Sequence, residues 1–336
     1  MKRLFLFTLL LYLLPLSLAL GAGQEYRIKF ATVAPEGSAW LKAMNELDTE
    51  LRERTDGRLG FLIYAGGIAG DELDVLKKIR IGQLHCAAFS GVGLGAVLPS
   101  VRVLDLPMLF RDAEDVDRVR TGLTSRFAED FSREGFRFIS WAEIGPVHLF
   151  SKTPIRTIAD LKKAKVWAWS GDPVANETFD AMGLHPIRLS ITDVSTALNT
   201  GMIDTVYAPP MGALALQWQT SLRYMSALPL AYANAAVLLS NSFFEKLPPE
   251  LAKVLSETFP PAMERLTGQI RRQIEQTTRT LRNAGVEVVA APTGEELLPF
   301  EAIHSRVAQR LEGELYPDGL LDEVYRLLGR RPSAKE

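Results

Sequence analysis

Residues 27–64 read RIKFATVAPEGSAWLKAMNELDTELRERTDGRLGFLIY. The stretch begins with one predicted strand, 27–33, and ends with another, 59–64, both rich in β-branched and aromatic residues. Between them, Ser38 is a suitable N-cap for a helix that runs to about residue 55. This order of strand, helix and strand predicts an α/β fold with a mostly parallel sheet covered by helices. The helix carries apolar residues at helical spacing: Trp40, Met44, Leu47 and Leu51.

The same alternation continues along the chain. A helix over 71–81 and a strand over 85–89 complete the first group. A second group of predicted strands follows, with helices between them: 136–141, 147–151, 165–169, 187–189 and 203–207. We therefore predict two α/β lobes with a cleft between them. Lobe 1 comprises 23–145 with part of 240–336, and lobe 2 comprises 146–240.

Beyond residue 241 the chain becomes strongly helical. Pro260-Pro261 should break or kink this run, because proline cannot donate the helical hydrogen bond. The charged stretch that follows, 262–284, is predicted to form one long helix that ends at Gly285.

The composition indicates a folded protein of about two domains. Of the 336 residues, 47% are hydrophobic, which is enough to build sizeable cores. Lysine and arginine number 38 against 40 acidic residues, and this balance argues against a nucleic-acid partner. Cys86 is the only cysteine, which excludes an internal disulfide and a thiolate zinc cluster. We expect neither a metal nor a cofactor.

The N-terminal segment has the pattern of a secretory signal peptide. Lys2 and Arg3 precede an apolar run, 4–20, and the small residues Gly21 and Ala22. Pro15 interrupts the run and no basic stop-transfer cluster follows, so a retained membrane anchor is the weaker interpretation. We predict a cleaved signal peptide over 1–22 and a periplasmic protein. With no cysteine near the boundary, no lipid attachment is expected.

Recognisable catalytic motifs are absent from the sequence. It contains no HExxH, GxSxG or CxxC motif and no phosphate loop ending in GK[ST]. The stretch 91–96, GVGLGA, does fit a dinucleotide fingerprint, but no long helix follows it before Pro99, and export would separate it from its cofactor. We interpret these glycines as a loop that turns at the rim of the cleft, and we expect no enzymatic activity.

Six blocks of sequence follow one another in this order: 65–70, 80–90 (RIGQLHCAAFS), 103–115 (VLDLPMLFRDAED), 152–169 (KTPIRTIADLKKAKVWAW), 181–210 and 240–251 (SNSFFEKLPPEL). Together they resemble the DctP family of solute receptors from TRAP (tripartite ATP-independent periplasmic) transporters. The resemblance implies a two-lobed receptor with a hinge, a long helix bracing both lobes, and a ligand buried as the lobes close. It also implies integral-membrane subunits that accept the ligand, and an additional periplasmic relay protein remains an open possibility.

Three positions depart from this family. Where most members carry an arginine that binds the ligand's carboxylate, this sequence has Trp167. A second family arginine falls at Val147, with His148 beside it, and the family's asparagine is replaced by Ala208. A guanidinium holds a carboxylate through charge-assisted bonds worth about 1.5–3 kcal/mol, whereas tryptophan offers one N–H donor and no charge. These departures predict an aromatic, apolar cleft for a hydrophobic or uncharged ligand.

Several residues are predicted to contact this ligand. Strand alternation places Trp167 and Trp169 on one face and Val166 and Ala168 on the other. The competing interpretation assigns both indoles to the core of lobe 2, since large aromatic residues are usually buried. For His148, a hinge or surface role is the competing interpretation. The predicted contacts are Trp167, Trp169, Tyr207, Ala208, Trp40, Phe89, Ser90, Val147 and His148.

Three other functions remain open. One is a receptor for a small carboxylate that uses another cation, for which Arg188 at the end of a strand is a candidate. Another is an exported enzyme built on a receptor fold, which would need a nucleophile–base pair that the sequence does not reveal. The third is a sensor or scaffold that delivers its ligand to a partner other than a transporter.

Overall fold

The structure, a computed structural model, describes residues 24–330. The predicted signal peptide, 1–22, lies outside these residues. Within them, no helix is both long and apolar enough to span a lipid bilayer.

The strands are short at the edges of the molecule and long at its centre. In the described part of the chain they are β1 (Tyr26–Ala31), β2 (Leu59–Tyr64), β3 (Cys86–Ser90), β4 (Phe136–Ser151), β5 (Trp167–Trp169), β6 (Ile187–Leu189), β7 (Thr205–Ala208), β8 (Tyr224–Ser226), β9 (Ala231–Ser240) and β10 (Glu287–Val289).

The helices pack around these strands. They are α1 (Ala39–Arg54), α2 (Glu72–Arg80), α3 (Gly91–Val97), α4 (Ala113–Arg133), α5 (Ile158–Leu161), α6 (Pro173–Ala181), α7 (Val194–Thr200), α8 (Pro210–Ala215), α9 (Asn241–Phe244), α10 (Pro249–Asn283), α11 (Leu298–Leu311) and α12 (Leu320–Leu327). The helix predicted after Ser38 is present, and the Ser38 hydroxyl accepts a hydrogen bond from the Leu41 amide at 3.3 Å.

The main sheet has the strand order β10-β8-β4-β9-β3-β1-β2, and β7 also pairs with β4. Parallel pairs join β1 to β2 and β3, and β8 to β10, whereas β4 is antiparallel to β7, β8 and β9, and β3 is antiparallel to β9. The prediction of a mostly parallel sheet is therefore wrong. The sheet is mixed because the two central strands run in opposite directions.

Strands β4 and β9 connect the two lobes. They pair with each other from Phe136 to Val147, while β3 lies beside the end of β9 and β7 and β8 lie beside the end of β4. The two strands predicted at 136–141 and 147–151 are thus a single strand. The pairing of this strand with β9 shifts register near Phe138 and Gly145. The strand continues through both shifts, because a β-bulge bends a strand without ending it.

Helix α10 spans 35 residues, so the prediction that the long helix begins at residue 262 is wrong. Pro260 and Pro261 lie inside it, although each proline in a helix interior costs about 3 kcal/mol. The buried face of the helix continues across the pair, since Phe259 and Met263 belong to one apolar core with residues of α1 and the sheet. Tertiary packing therefore sustains the helix. It contacts α1 on one side of the molecule and α8 on the other, which fits a bracing role.

Strand β5 is buried on both faces, as its alternation predicts. Trp167 and Trp169 belong to an apolar cluster with Trp218 and residues of α7. Val166 and Ala168 belong to a different cluster, with residues of α6. The predicted boundary at 145/146 falls inside β4 and the boundary at 240 at the end of β9, and the assignment of residues to each lobe stays a prediction.

Candidate ligand-binding site

A cavity of about 680 Å³ lies between the two lobes. One side is formed by the turn after β1, the start of α3, and Arg102 with Asp105. The other side is formed by β5, the first turns of α6, and α8. Segments of β4, β9 and α10 complete the lining. Apart from a few charged groups, most of these residues are apolar.

The structure brings together all but one of the predicted contact residues. The residues that line the cavity are Trp40, Phe89, Ser90, Val147, Trp167, Trp169, Tyr207 and Ala208. Their contact with a ligand stays a prediction, but their position in one cavity is consistent with it.

His148 is the exception, because it is not among the lining residues. Its Nδ1 lies 2.9 Å from the carbonyl oxygen of Ser226, next to the pairing of β4 with β8. Burial lowers the pKa of His148, and the bond to Ser226 opposes this effect. These contacts support a structural role at the sheet and give no support to a ligand contact. Val147 and His148 point to opposite faces because neighbouring residues alternate along a strand.

Trp167 belongs to the aromatic wall of the cavity, by which we mean the lining residues Trp40, Phe89, Trp167, Trp169 and Tyr207. It is only 1% exposed, and its indole N–H donates to the Leu189 carbonyl at 3.0 Å. Its ring stacks on Tyr207 with centroids 5.0 Å apart and meets Trp218 edge-on at 5.7 Å. Trp167 therefore packs in the core of its lobe and also contributes to the cavity lining. The two interpretations of this residue are compatible.

Trp169 links segments that are far apart in the sequence. Its indole N–H lies 3.0 and 3.2 Å from the two carboxylate oxygens of Asp71, the N-cap residue of α2. The same carboxylate accepts a hydrogen bond from the Ser190 hydroxyl at 2.5 Å. Since α2 follows β2 and Ser190 follows β6, these bonds hold the two sides of the cavity together.

Arg102 is a site residue that the sequence analysis missed. It lies in the 3-10 turn Pro99–Asp105, is only 3% exposed and lines the cavity. Its Nε is 2.9 Å from the Asp105 carboxylate, and its Nη2 donates to Asp172 at 2.7 Å. Burial acts to lower the pKa of Arg102, but Asp172 and Asp105 outweigh it and raise the pKa above its usual value. The guanidinium is therefore charged and shared by two carboxylates.

A signal for Arg102 exists in the sequence. It is a single charged residue in an apolar run, Val101 to Leu104, and such a residue is almost never buried unless it is paired. Its partner Asp172 is 70 residues away, so spacing could not identify the pair. Arg188, the cation considered for a carboxylate ligand, is exposed, donates to Asn176 at 2.8 Å and is absent from the lining.

The glycines of 91–96 form helix α3, so their interpretation as a rim loop is wrong. Their backbone is helical, and because they lack a side chain, neighbouring residues approach that backbone closely. A Cβ atom on Gly91 would lie 2.3 Å from the Asp105 carboxylate, and one on Gly95 would lie 2.6 Å from the Arg102 side chain. A Cβ on Gly93 would collide with Phe89 at 2.2 Å. Glycine at these positions lets the charged cluster pack against α3.

The charged groups of the lining are mostly acidic. Within residues 24–330, Lys42 and Arg102 are the basic residues that line the cavity, and Lys42 is exposed to solvent. No group of three or more metal-binding side chains occurs in this part of the chain. The acidic lining residues are Glu36, Glu72, Asp105, Glu143 and Asp172.

Glu72 is a buried acid beside Phe89 and Ser90. Its carboxylate accepts bonds from the Ser90 amide at 2.8 Å, the Ser90 hydroxyl at 3.0 Å and the Gly93 amide at 2.7 Å. Burial raises the pKa of Glu72 to about 7, against the lowering effect of these bonds and with a smaller contribution from the charge on Asp71. Glu72 therefore gains or loses a proton near neutral pH.

The stability of the protein should fall as pH rises through the range in which Glu72 ionises. The unfolded chain loses this proton near pH 4.5 and the folded protein near pH 7, so the folded state binds more protons between these values. Glu72 should contribute a drop of about 3 kcal/mol in the free energy of unfolding over this range, and its contribution should then level off. Glu72→Gln should remove most of the slope in urea titrations, whereas Glu53→Gln, at an exposed position, should preserve it. A slope unchanged in Glu72→Gln would contradict the assignment.

Comparisons with known proteins identify relatives over most of the described region. Residues 30–313 match the family DctP, described as bacterial extracellular solute-binding protein, family 7. The chain is 21% identical over 308 residues to the C4-dicarboxylate-binding periplasmic protein DctP of Rhodobacter capsulatus, which covers 89% of this chain and 92% of the relative. It is 24% identical over 271 residues to the 2,3-diketo-L-gulonate-binding periplasmic protein YiaO of Escherichia coli K12, which covers 80% and 81%.

Solved structures share the fold. A TRAP periplasmic solute-binding protein from Pseudomonas putida F1, with bound D-glucuronate, superposes with a TM-score of 0.82 at 23% identity. That match covers 92% of this chain and 99% of the other. A second one, from Actinobacillus succinogenes 130Z with bound L-galactonate, has a TM-score of 0.83 at 21% identity and covers 90% and 99%. These likenesses confirm the predicted two-lobed α/β architecture.

Proposed function

Because this chain belongs to the DctP family of bacterial extracellular solute-binding proteins, we propose that it is a TRAP-transporter receptor whose ligand is a small uncharged or hydrophobic molecule. The receptor captures this solute in the cavity between its lobes and delivers it to the integral-membrane subunits of the transporter. The family consists of receptors, and we propose no catalytic role for this member.

The observation that carries the ligand class is the state of Arg102. A receptor for an acid needs a cation that is free to bind a carboxylate, and in the described chain Arg102 is the buried basic residue of the lining. It is already paired with Asp105 and Asp172. Lys42 is exposed at the rim, where solvent screening leaves an ion pair worth less than about 1 kcal/mol. The lining therefore favours a ligand without a negative charge.

The aromatic wall supports the same ligand class. Trp169 and Tyr207 line one cavity together with Phe89 and Trp40. Burial of apolar surface contributes about 25 cal/mol per Å², so a small apolar solute gains several kcal/mol without an ion pair. Orientation would come from a few polar groups, as is usual in ligand cavities.

Closure of the lobes is the mechanism that we propose for capture. The bonds from Asp71 to Trp169 and Ser190, and the ion pair of Arg102 with Asp172, cross between the two sides of the cavity. A ligand that contacts both sides binds the closed state better than an open one, and so shifts the equilibrium towards closure. An apolar ligand could rely on these protein–protein bonds to complete the closed state.

The alternative is a receptor for a small carboxylate. The structural relatives from Pseudomonas putida and Actinobacillus succinogenes were solved with sugar acids, D-glucuronate and L-galactonate. In this chain the acid would have to bind Arg102 in competition with Asp172, since Arg188 is not among the lining residues.

The cellular context is part of the same proposal. The named relatives are periplasmic proteins, and we propose that this receptor is exported by its predicted signal peptide and acts in the periplasm. A hydrophobic solute has low solubility in water, so an additional periplasmic relay protein would suit its transfer to the membrane subunits.

A thermal-shift screen tests the ligand class. The panel should contain dicarboxylates, keto acids and sugar acids on one side, and neutral aliphatic and aromatic metabolites on the other. A ligand present at a hundredfold excess over its Kd stabilises the folded protein by about 2.7 kcal/mol, which raises Tm by several degrees. We expect neutral compounds to raise Tm. Stabilisation by micromolar dicarboxylates or sugar acids, with no effect of neutral compounds, would show that the alternative is correct.

A further inference from the structure

Asp172 occupies a special position in the cavity lining. It lies between β5 and α6, is 6% exposed and caps α6, since its Oδ1 accepts bonds from the Val174 amide at 3.0 Å and the Ala175 amide at 3.1 Å. The same oxygen accepts the 2.7 Å bond from Arg102. A helix cap and an ion pair across the cavity thus share one carboxylate.

These contacts leave Arg102 few donors with which to bind a ligand. A guanidinium holds a carboxylate best through two parallel N–H donors. Here Nε lies 2.9 Å from the Asp105 carboxylate as an ion pair, and Nη2 donates to Asp172 at 2.7 Å. Neither Nε nor Nη1 makes a hydrogen bond to another group among residues 24–330. With carboxylates already against Nε and Nη2, a ligand carboxylate would find Nη1 as the one nitrogen of the guanidinium that no carboxylate faces.

The charge of the cluster opposes an acid as well. One guanidinium faces two carboxyl groups, so with both of them ionised Arg102, Asp105 and Asp172 together carry one excess negative charge. Burial already raises the pKa of Asp105, which shows that a further negative charge is unfavourable there. A ligand carboxylate would raise this excess to two in a buried region, where like charges repel strongly. Without the charge of Asp172 the remaining pair would be neutral, and the ligand's acid could take its place.

We propose that Asp172 is a specificity-determining residue that excludes acidic ligands from the cavity by acting as an internal carboxylate on Arg102. The proposal rests on the uncharged ligand class proposed above and names the residue that enforces it. Removal of the Asp172 charge converts the receptor into one that accepts a carboxylate.

The substitutions Asp172→Asn and Asp172→Ser test this role. Asparagine and serine are both good N-cap residues, so α6 keeps its cap while the charge is lost. The probes are two acids, hexanoate and phenylacetate, and their uncharged amides, hexanamide and phenylacetamide, titrated by calorimetry at neutral pH. We expect the affinity for each acid, relative to that for its own amide, to rise about ten- to hundredfold in both variants. The comparison within a pair isolates the charge, because any effect of the lost ion pair on closure is shared by the acid and the amide.

Two further variants complete the test. Asp112→Asn removes a charge from the N-cap of α4, which lies outside the cavity lining, and should leave acid affinity unchanged. Adding Arg102→Gln to Asp172→Asn should abolish the gain, with folding verified by circular dichroism. Acid affinities that are unchanged relative to the amides in both Asp172 variants would overturn the role of Asp172, even if the wild-type protein prefers amides. A wild-type protein that prefers the acids would instead overturn the proposed ligand class.

Discussion

Replacing Trp167 by alanine should lower the free energy of unfolding by about 3–5 kcal/mol and weaken ligand binding. The indole is 1% exposed, stacks on Tyr207 and meets Trp218 edge-on, so its removal leaves a large cavity in the core of the lobe. The loss of Tyr207's stacking partner also releases a ring that lines the ligand cavity. Urea unfolding measures the first effect, and titration with the strongest neutral compound of the solute screen measures the second.

Trp167→Phe is the matched control for this experiment. Phenylalanine keeps an aromatic ring beside Tyr207 but loses the N–H bond to the Leu189 carbonyl, so the expected loss is about 1–3 kcal/mol. If alanine at this position changes the free energy of unfolding by less than about 1 kcal/mol, the indole is not a packing centre of the lobe.

The second large effect is expected at Glu143, on the strand that crosses between the lobes. Its carboxylate is fully buried and accepts bonds from Arg271 at 2.8 Å, from Arg120 at 3.3 Å and from the Tyr232 hydroxyl. Because Arg271 belongs to α10 and Arg120 to α4, this network fastens two helices to the central strands. Glu143→Gln would leave buried Arg120 without a carboxylate partner, and the expected loss is about 3–5 kcal/mol of unfolding free energy.

Asp117→Asn is the control for Glu143. Asp117 pairs with the same Arg271 at 2.6 and 2.7 Å, but its side chain is 53% exposed. A solvent-screened ion pair contributes less than about 1 kcal/mol, so this variant should remain close to the wild-type stability in urea unfolding. Equal losses in the two variants would mean that burial of Glu143 does not strengthen its network.

Elements with strong local signals were predictable from the sequence. The strand over Leu59–Tyr64 agrees with its predicted bounds, since apolar patterning and the flanking glycines Gly57 and Gly66 define it. The same holds for the alternation of β5, which separates Trp167 from Ala168. Local pattern suffices where burial repeats with the period of one element.

Features decided by tertiary structure were not predictable. Strand β9, AYANAAVLLS, was missed because alanine favours strands weakly and only its pairing with β3 and β4 stabilises it. Pro260 should end a helix by local rules, yet the apolar face of α10 continues past it. Arg102 and Asp172 meet only after folding, so the charge state of the cavity was hidden from the sequence.

The resemblance to a known family predicted several of the residues that line the cavity. The structure adds the charged groups beside them and the partners of those groups. Trp167, Ala208 and Val147, the positions at which the resemblance implies polar groups in the family, all line the cavity. What decides the ligand class is whether the cavity offers a free cation, and this depends on Arg102 and its two carboxylates.

The most direct test compares an acid with its own amide on the wild-type receptor. Hexanoate and hexanamide share one apolar body, as do phenylacetate and phenylacetamide, so the difference within each pair isolates the effect of charge. At neutral pH we predict that each amide binds at least about tenfold more tightly than its acid, because no unpaired buried cation lines the described cavity. Tighter binding of the acids in both pairs would contradict this prediction and identify the protein as a carboxylate receptor.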